Sequence, residues 1–238
     1  MRILALETSA KSVSCAVTED DAILAHSFQC TGLTHSRTLL PMVHDMLENA
    51  ELPLRSVDLF AVSAGPGSFT GLRIGVSALK GLAWAEDKPC AGVSTLHAMA
   101  QNLAHTESLV VCTMDARRNQ VYNALFLAHG GVLTRLCEDR AIGLDELADE
   151  LRGDDREKII VGDGAALSYE RLSKSGVACA LAPAALRYQN AVGVALCAGQ
   201  AAKCGETVSA RELSVFYLRP PQAERVRGLV NAPNRDDI

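Results

Sequence analysis

The stretch SAGPGSFTGLRIG, residues 63–75, combines four glycines and a proline with the start of a helical pattern. Glycine-rich turns that open a helix can bind phosphate, because the first backbone N–H groups of a helix have no intrahelical acceptor. A P-loop is excluded, since that motif places a lysine after its last glycine and here Leu72 follows Gly71. Gly65 and Gly67 predict a tight turn that launches a helix, and an anion site stays open as an alternative.

Ser68, in the same stretch, is a candidate nucleophile only at first sight. It lies beside glycines near a helix start, but the surrounding residues do not form a G-x-S-x-G nucleophile elbow. Serine is one of the preferred residues at a helix N-cap. We therefore expect Ser68 to cap the helix that follows.

Gly71 and Gly75 are one helical turn apart and fall on one face of this helix. Glycine inside a helix costs about 1 kcal/mol relative to alanine, which implies close approach by the chain's own sheet or by another chain. The preceding helix, over residues 38–50, has two adjoining apolar faces, and one face suffices to cover a sheet. We therefore predict an interface with another chain. The residues predicted to form it are Leu39, Met42, Val43, Met46, Gly71, Leu72, Arg73, Gly75, Val76 and Leu79.

Pro41 and Arg73 refine this prediction. Proline is tolerated in the first turn of a helix, so the helix over 38–50 should begin just before Pro41, with Ser36 or Thr38 as its N-cap. Arg73 is a candidate polar anchor of the interface, because arginine is enriched there, and a solvated arginine is the alternative.

Strand and helix patterns alternate along the chain and indicate the α/β class with parallel strand pairs. Both halves begin with a strand that reaches an acidic turn and returns as a strand, in LETSAKSVSCAV and TMDARRNQVYNAL. This repeated order predicts an internal duplication. We assign residues 1–105 to an N-terminal lobe and residues 106–207 to a C-terminal lobe. Residues 208–238 are expected to return to the N-terminal lobe and to end loosely.

Composition limits the function classes. The net charge of −5 argues against independent binding of nucleic acid, and the nearest basic cluster, at Arg219, Arg225 and Arg227, is interrupted by Glu224. The eight cysteines form no C-x-x-C pair, and the chain starts without a signal-peptide pattern and has no apolar stretch of about 18 residues. These features predict reduced thiols in a cytoplasmic protein without a membrane segment.

Four segments together resemble the TsaB family, also called YeaZ: ILALETSAKSVSCAV, AGPGSFTGLRIG, DARRNQVY and YLRPP. The resemblance covers nearly the whole chain. This family provides a bacterial subunit of the machinery that makes threonylcarbamoyladenosine in tRNA. It implies a duplicated two-lobed fold of the actin, sugar-kinase and Hsp70 type, which is ribonuclease-H-like.

The resemblance also implies partners. A TsaB-type chain is a non-catalytic subunit that forms a heterodimer with the catalytic subunit TsaD, and the ATPase TsaE binds that pair. The complex installs threonylcarbamoyl on N6 of adenosine 37 in tRNA. ATP or ADP and a metal are then expected in the partner subunits, with no cofactor in this chain. Contact with tRNA is expected only through the complex, and a homodimer through the same helices is possible when the chain is alone.

In actin-like folds two hairpin turns, each with an acidic residue, hold the phosphates of a nucleotide. Lys11 stands where catalytic relatives of TsaB have an acidic residue, and neither turn of this chain has a glycine for close approach. We therefore expect a degenerate nucleotide or anion site, with hairpins that merely close the sheets as the alternative. The candidate residues of that site are Glu7, Thr8, Ser9, Gly65, Gly67 and Asp115.

TsaD-like subunits bind a metal through two histidines one helical turn apart. His97 matches the first ligand position, but Gln101 stands at the second, and glutamine is a weak ligand for a transition metal. No metal site is predicted, and His97 is interpreted as a packing or hydrogen-bonded histidine. Two alternative functions remain open: an ATP-dependent phosphotransferase or ATPase of the actin-like fold and, less favoured, an M22-type metallopeptidase.

Overall fold

Two β-sheets form the framework of the computed structural model, which describes residues 1–20 and 22–219. The first sheet contains β1 (Arg2–Glu7), β2 (Val13–Glu19), β3 (Ala22–Gln29), β4 (Leu59–Gly65) and β5 (Cys90–Ser94). The second contains β6 (Ser108–Asp115), β7 (Gln120–His129), β8 (Val132–Arg135), β9 (Arg140–Gly143), β10 (Lys158–Val161) and β11 (Ala180–Leu181). The helices are α1 (His35–Asn49), α2 (Phe69–Glu86), α3 (Thr95–Ala100), α4 (Leu144–Arg152), α5 (Ala165–Lys174) and α6 (Ala191–Lys203).

The two sheets repeat one topology. The strand order is β3-β2-β1-β4-β5 in the first sheet and β8-β7-β6-β10-β11 in the second, where β9 also pairs with β7. In each sheet the first two strands form an antiparallel hairpin, and the first strand also pairs in parallel with the strand that follows a helix. This repeat confirms the predicted α/β class and the internal duplication.

The last helix of each half packs between the two sheets. α3 buries Leu96 and Met99 against the second sheet, whereas α6 buries Val194 and Ala198 against the first. α6 therefore falls within the range 106–207 that was assigned to the C-terminal lobe, and it packs on the first sheet. An almost entirely apolar helix such as α6 carries no stripe that reveals which sheet it covers.

The start of α1 differs from the prediction, and the start of α2 agrees with it. α1 begins at His35 with Thr34 as its N-cap, and Pro41 lies inside the helix, so neither Ser36 nor Thr38 is the cap. Packing of α1 on the sheet outweighs the local cost of the proline, because most helical stability in proteins comes from tertiary contacts. The Oγ of Ser68 accepts a hydrogen bond from the backbone N–H of Gly71, which confirms the predicted N-cap of α2.

Residues 207–219, which we call the C-terminal strap, lie against the first lobe. Val208 and Cys90 exchange two backbone hydrogen bonds of 2.8 and 2.9 Å at the edge of β5. The Nζ of Lys80 in α2 donates to the carbonyl oxygen of Leu213, whose side chain is part of the core. The remainder of the predicted C-terminal segment, including Glu224, Arg225 and Arg227, lies outside the described residues.

All eight cysteines are free thiols, and four of them, Cys15, Cys90, Cys112 and Cys197, are buried. Within the part of the chain that the structure describes, no helix combines the length and the apolar character needed to cross a lipid bilayer.

Candidate functional site

The apolar faces of α1 and α2 that were predicted to contact another chain are buried in the first lobe. Of the ten predicted interface residues only Arg73 is exposed. The nine buried ones are Leu39, Met42, Val43, Met46, Gly71, Leu72, Gly75, Val76 and Leu79. α1 needs two apolar faces because it packs against both the sheet and α2, in one shared core. The packing of this chain covers these nine residues, and their role at an interface with another chain stays a prediction.

Gly71 and Gly75 are required by the chain's own first hairpin. A Cβ atom added at Gly71 would lie 2.2 Å from the carbonyl oxygen of Thr8, and one added at Gly75 would lie 2.3 Å from the Oγ1 of Thr8. The Oγ1 of Thr8 also donates a 2.8 Å hydrogen bond to the carbonyl oxygen of Gly71. Of the two explanations for these glycines, packing within the chain is the one that the structure supports.

A different face of α2 is exposed, and we call its residues Ser77, Gly81 and Trp84 the outer face of α2. Trp84 is 70% exposed, and on the neighbouring helix α1 the side chain of Leu40 is 48% exposed. A Cβ atom added at Gly81 would meet no atom of residues 1–20 and 22–219 within 4 Å. The packing of this part of the chain therefore gives no reason for a glycine at position 81.

The acidic residue of the first hairpin points into the protein. Glu7 is completely buried, and its carboxyl group accepts hydrogen bonds from the backbone N–H of Ser9, at 2.5 Å, and from the Oγ of Ser63. Burial raises the pKa of Glu7 above its ordinary value, although the two serines act in the opposite direction. The carboxyl group of Glu7 makes its hydrogen bonds within the chain, and Glu7 does not line the cleft between the lobes.

The cleft between the lobes has a volume of about 480 Å³ and contains half of the candidate anion-site residues. Ser9, Gly67 and Asp115 line it, whereas Glu7, Thr8 and Gly65 do not. Gly65 instead permits the C-terminal strap to pass, since a Cβ atom there would lie 2.1 Å from the carbonyl oxygen of Phe216. A Cβ atom at Gly67 would lie 2.7 Å from the carbonyl oxygen of Ser9.

Other residues of the cleft were not predicted as site residues. Asp163, which directly follows β10 and Gly162, accepts a 2.9 Å hydrogen bond from the Nε2 of Gln189, and burial raises its pKa. An acidic residue after a strand and a glycine is a signal that the sequence could have provided. The residues of the strap that line the cleft are Phe216, Tyr217, Leu218 and Arg219, and the last three belong to the YLRPP segment that resembles the family.

Arg73 is bound within the chain. Its guanidinium group lies 3.7 Å from the ring centroid of Phe69, and its Nε donates to the hydroxyl oxygen of Tyr217 at 3.0 Å. The rings of Phe69 and Tyr217 are stacked with centroids 5.0 Å apart. Two residues later, Arg219 donates to the Oε1 of Gln120 in the second lobe. The strap therefore connects the N-terminus of α2 to the second sheet.

His97 and Gln101 lie together, both half-buried, next to α6 and the second sheet. The ring of His97 stacks on that of Phe126 with centroids 5.3 Å apart, as the packing interpretation predicts. The Nε2 of Gln101 lies 3.5 Å from the Nε2 of His97 and donates to the Sγ of Cys197. The residues that the structure describes contain no group of three or more side chains suited to holding a metal ion.

Comparison with known proteins gives consistent results. A family model described as "TsaD: tRNA N6-adenosine threonylcarbamoyltransferase" matches residues 29–222. The chain is 34% identical to the tRNA threonylcarbamoyladenosine biosynthesis protein TsaB of Bacillus subtilis over 172 residues, which is 72% of this chain and 75% of that protein. It is 40% identical to the TsaB protein of Escherichia coli over 124 residues, about half of each chain, at 51% and 53%.

Solved structures that resemble this chain include a member of the same family. The structure of YeaZ from Pseudomonas aeruginosa superposes with a TM-score of 0.78 at 29% identity and covers 91% of this chain and 99% of that one. Component A of (R)-2-hydroxyglutaryl-CoA dehydratase from Acidaminococcus fermentans shares the fold at 14% identity, with a TM-score of 0.50 over 85% of this chain and 99% of that one. The actin-like fold is supported by the duplicated sheets, the hairpin around Glu7, the capped glycine turn before α2 and these structural matches. Together with the sequence matches, they show that the chain belongs to the TsaB (YeaZ) family.

Proposed function

We propose that this chain is a non-catalytic subunit of the complex that installs threonylcarbamoyl on N6 of adenosine 37 in tRNA. It binds and supports a catalytic subunit of the TsaD type, and a TsaE-type ATPase is the third partner. Membership of the TsaB family supports this role, because the curated relatives are named for threonylcarbamoyladenosine biosynthesis. The match to the TsaD family model indicates that the chain and its proposed partner share one fold.

The observation that carries the proposal of a protein partner is the outer face of α2. An exposed glycine inside a helix of 18 residues costs about 1 kcal/mol relative to alanine, and among the described residues no atom lies within 4 Å of a Cβ atom added at Gly81. One turn away, most of the Trp84 side chain is exposed, and tryptophan is enriched among interface hot spots. A helix from another chain that packs closely over Gly81 and beside Trp84 accounts for both features.

The geometry of the first hairpin favours a supporting role over an ATPase or phosphotransferase. Holding the magnesium ion of a nucleotide requires an ionised and accessible carboxylate. Glu7 is buried, hydrogen-bonded within the chain and shifted towards its neutral form. ATP or ADP and any metal are therefore assigned to the partner subunits, and the metallopeptidase alternative gains no support from His97, which stacks on Phe126.

The net charge of the chain and its exposed surface bear on two further partners, tRNA and a second copy of the chain. With a net charge of −5 the chain by itself is poorly suited to phosphate backbones, so contact with tRNA is assigned to the assembled complex. In the absence of the catalytic subunit, the outer face of α2 is the surface we expect a homodimer to use. A cytoplasmic location is part of the same proposal, because the substrate is tRNA.

The test measures binding of this chain to the TsaD-type subunit of the same organism. Calorimetry gives the affinity, and size-exclusion chromatography detects the complex. Replacing Trp84 with Glu or Gly81 with Leu should weaken the complex at least about tenfold, which corresponds to about 1.4 kcal/mol. Gly153→Leu is the matched control, since Gly153 is also exposed, has open space around its Cα and lies in the second lobe. Unchanged affinity of both outer-face variants, with all proteins folded, would show that the partner binds elsewhere.

A further inference from the structure

The wall of the cleft formed by the first lobe carries an unused hydrogen-bond donor. Ser9 lines the cleft, is 1% exposed, and its Oγ has no hydrogen-bond partner among the described residues. Its backbone is fixed on both sides, because its N–H donates to Glu7 and its carbonyl oxygen accepts from the N–H of Ser68 at 2.7 Å. The large majority of buried side-chain polar atoms have a hydrogen-bond partner, and this hydroxyl group has none among the described residues.

The start of α2 provides further donors on the same wall. Gly67 and Phe69 line the cleft, and neither backbone N–H has an acceptor within the part of the chain that the structure describes. The first turn of α2 contains no acidic side chain that would compensate the positive end of the helix dipole. The Ser68 cap takes only the N–H of Gly71. This end of an 18-residue helix is therefore electrostatically suited to an anion.

Positive side chains outnumber carboxyl groups around the cleft. Lys11, Arg117 and Arg219 line it, and none of the three takes part in an ion pair within the described residues. The acidic residues that face them are Asp115, which accepts from the backbone N–H of Arg117, and Asp163, whose buried carboxyl group is shifted towards its neutral form. The balance of charge is therefore positive before any ligand binds.

We propose that this cleft binds one phosphate-sized oxyanion, either inorganic phosphate or the phosphate of a small phosphomonoester. The Oγ–H of Ser9 and the N–H groups of Gly67 and Phe69 donate to its oxygens, and Lys11 supplies the opposite charge. This chemistry differs from that of a magnesium nucleotide site, because a lysine occupies the tip of the first hairpin and Glu7 faces away from the cleft. The site is independent of the surface proposed for the partner subunit.

Calorimetry and ³¹P NMR on the isolated full chain test the site. Inorganic phosphate, adenosine monophosphate and magnesium-ATP are titrated separately in a chloride buffer. We expect saturable binding of phosphate with one site per chain, and about tenfold or greater weakening in Ser9→Ala and in Lys11→Gln. If adenosine monophosphate binds more tightly than inorganic phosphate and its binding also depends on Ser9 and Lys11, the natural ligand is a phosphomonoester.

Lys203→Gln is the matched control, because Lys203 is an exposed lysine at the end of α6 that does not line the cleft. Lys11 is also exposed, so its substitution keeps the test valid even where Ser9→Ala impairs folding, which circular dichroism would reveal. The proposal is overturned by the absence of saturable phosphate binding. It is also overturned by equal weakening in Lys203→Gln, or by magnesium-ATP binding that Lys11→Gln leaves unchanged.

Discussion

Gly71 in α2 lies against the backbone of Thr8 in the first hairpin so closely that an added Cβ atom would sit 2.2 Å from the carbonyl oxygen of Thr8. Ten residues later in the same helix, Gly81 has open space around its Cα. Two glycines of one helix therefore serve different purposes. Gly71 allows the helix to dock on the hairpin, whereas none of the residues that the structure describes accounts for Gly81.

This contrast predicts opposite effects of the same substitution. Gly71→Ala should lower the free energy of unfolding by about 1–3 kcal/mol, because a backbone oxygen cannot move aside as a flexible side chain can. Gly81→Ala should raise it by up to about 1 kcal/mol through helix propensity alone. Urea unfolding of the isolated chain measures both. Equal effects at the two positions would contradict the packing described for Gly71.

A second pair of glycines tests the contact between α3 and α6. A Cβ atom at Gly193 would lie 2.0 Å from the carbonyl oxygen of Ala98, whereas one at Gly199 would make an ordinary 3.5 Å contact with Ile3. Gly193→Ala should therefore destabilise the chain by about 1–3 kcal/mol, because α3 and α6 must separate. Gly199→Ala, in the same helix, should be neutral or slightly stabilising. Thermal unfolding of the two variants is the measurement, and a stable Gly193→Ala protein would refute the close approach.

Glu7 should make stability depend on pH in an unusual direction. Its pKa is raised in the folded chain, so above its ordinary value of 4.5 the unfolded chain releases a proton that the folded chain retains. The contribution of Glu7 to the free energy of unfolding is complete below pH 4.5 and is lost as the pH rises through the folded pKa. Each unit between the two pKa values corresponds to about 1.4 kcal/mol.

Glu7→Gln isolates this effect, since glutamine has the same size and does not titrate. The variant should gain stability relative to the unmodified chain as the pH rises from 4.5 towards neutrality. Taking the difference between the two proteins cancels the opposing contributions of other carboxyl groups, such as Asp154, whose pKa is lowered to about 2 by Arg156. A difference that does not vary with pH would mean that Glu7 is ionised in the folded chain.

His97 should act in the opposite direction. Burial, together with the positive charge of Arg135, lowers its pKa below 6.5, although Asp139 counteracts this in part. The unfolded chain therefore takes up a proton at a pH where folded His97 stays neutral, and this contribution to stability is present above pH 6.5 and is lost as the pH falls.

His97→Phe keeps a ring against Phe126 and removes the titration. Urea unfolding between about pH 5 and pH 8 should show that the unmodified chain loses stability relative to the variant as the pH falls. An NMR titration of the His97 ring checks the pKa directly, and a value above 6.5 would exclude this explanation.

The helices and the duplication could be read from the sequence, because their signals are local. Alternating strands and helices indicated the α/β class, and Ser68 among glycines indicated the cap of α2. The start of α1 could not be predicted correctly, since Pro41 argues locally for a later start and tertiary packing overrides it. The burial of the apolar residues of α1 and α2 within this chain could not be predicted for a similar reason: apolar periodicity shows which residues avoid water, but not which neighbour covers them.

The sequence by itself determined the fold class, the repeated hairpins, the turn that launches α2 and membership of a family. Only the tertiary structure decided that Gly71 meets Thr8 while Gly81 is left uncovered, that α6 covers the first sheet, and that Glu7 turns inward while Ser9 lines the cleft. The physical reason is separation along the chain. Helix and strand patterns arise between residues a few positions apart, whereas burial and hydrogen bonding at these positions are set by residues that only folding brings together.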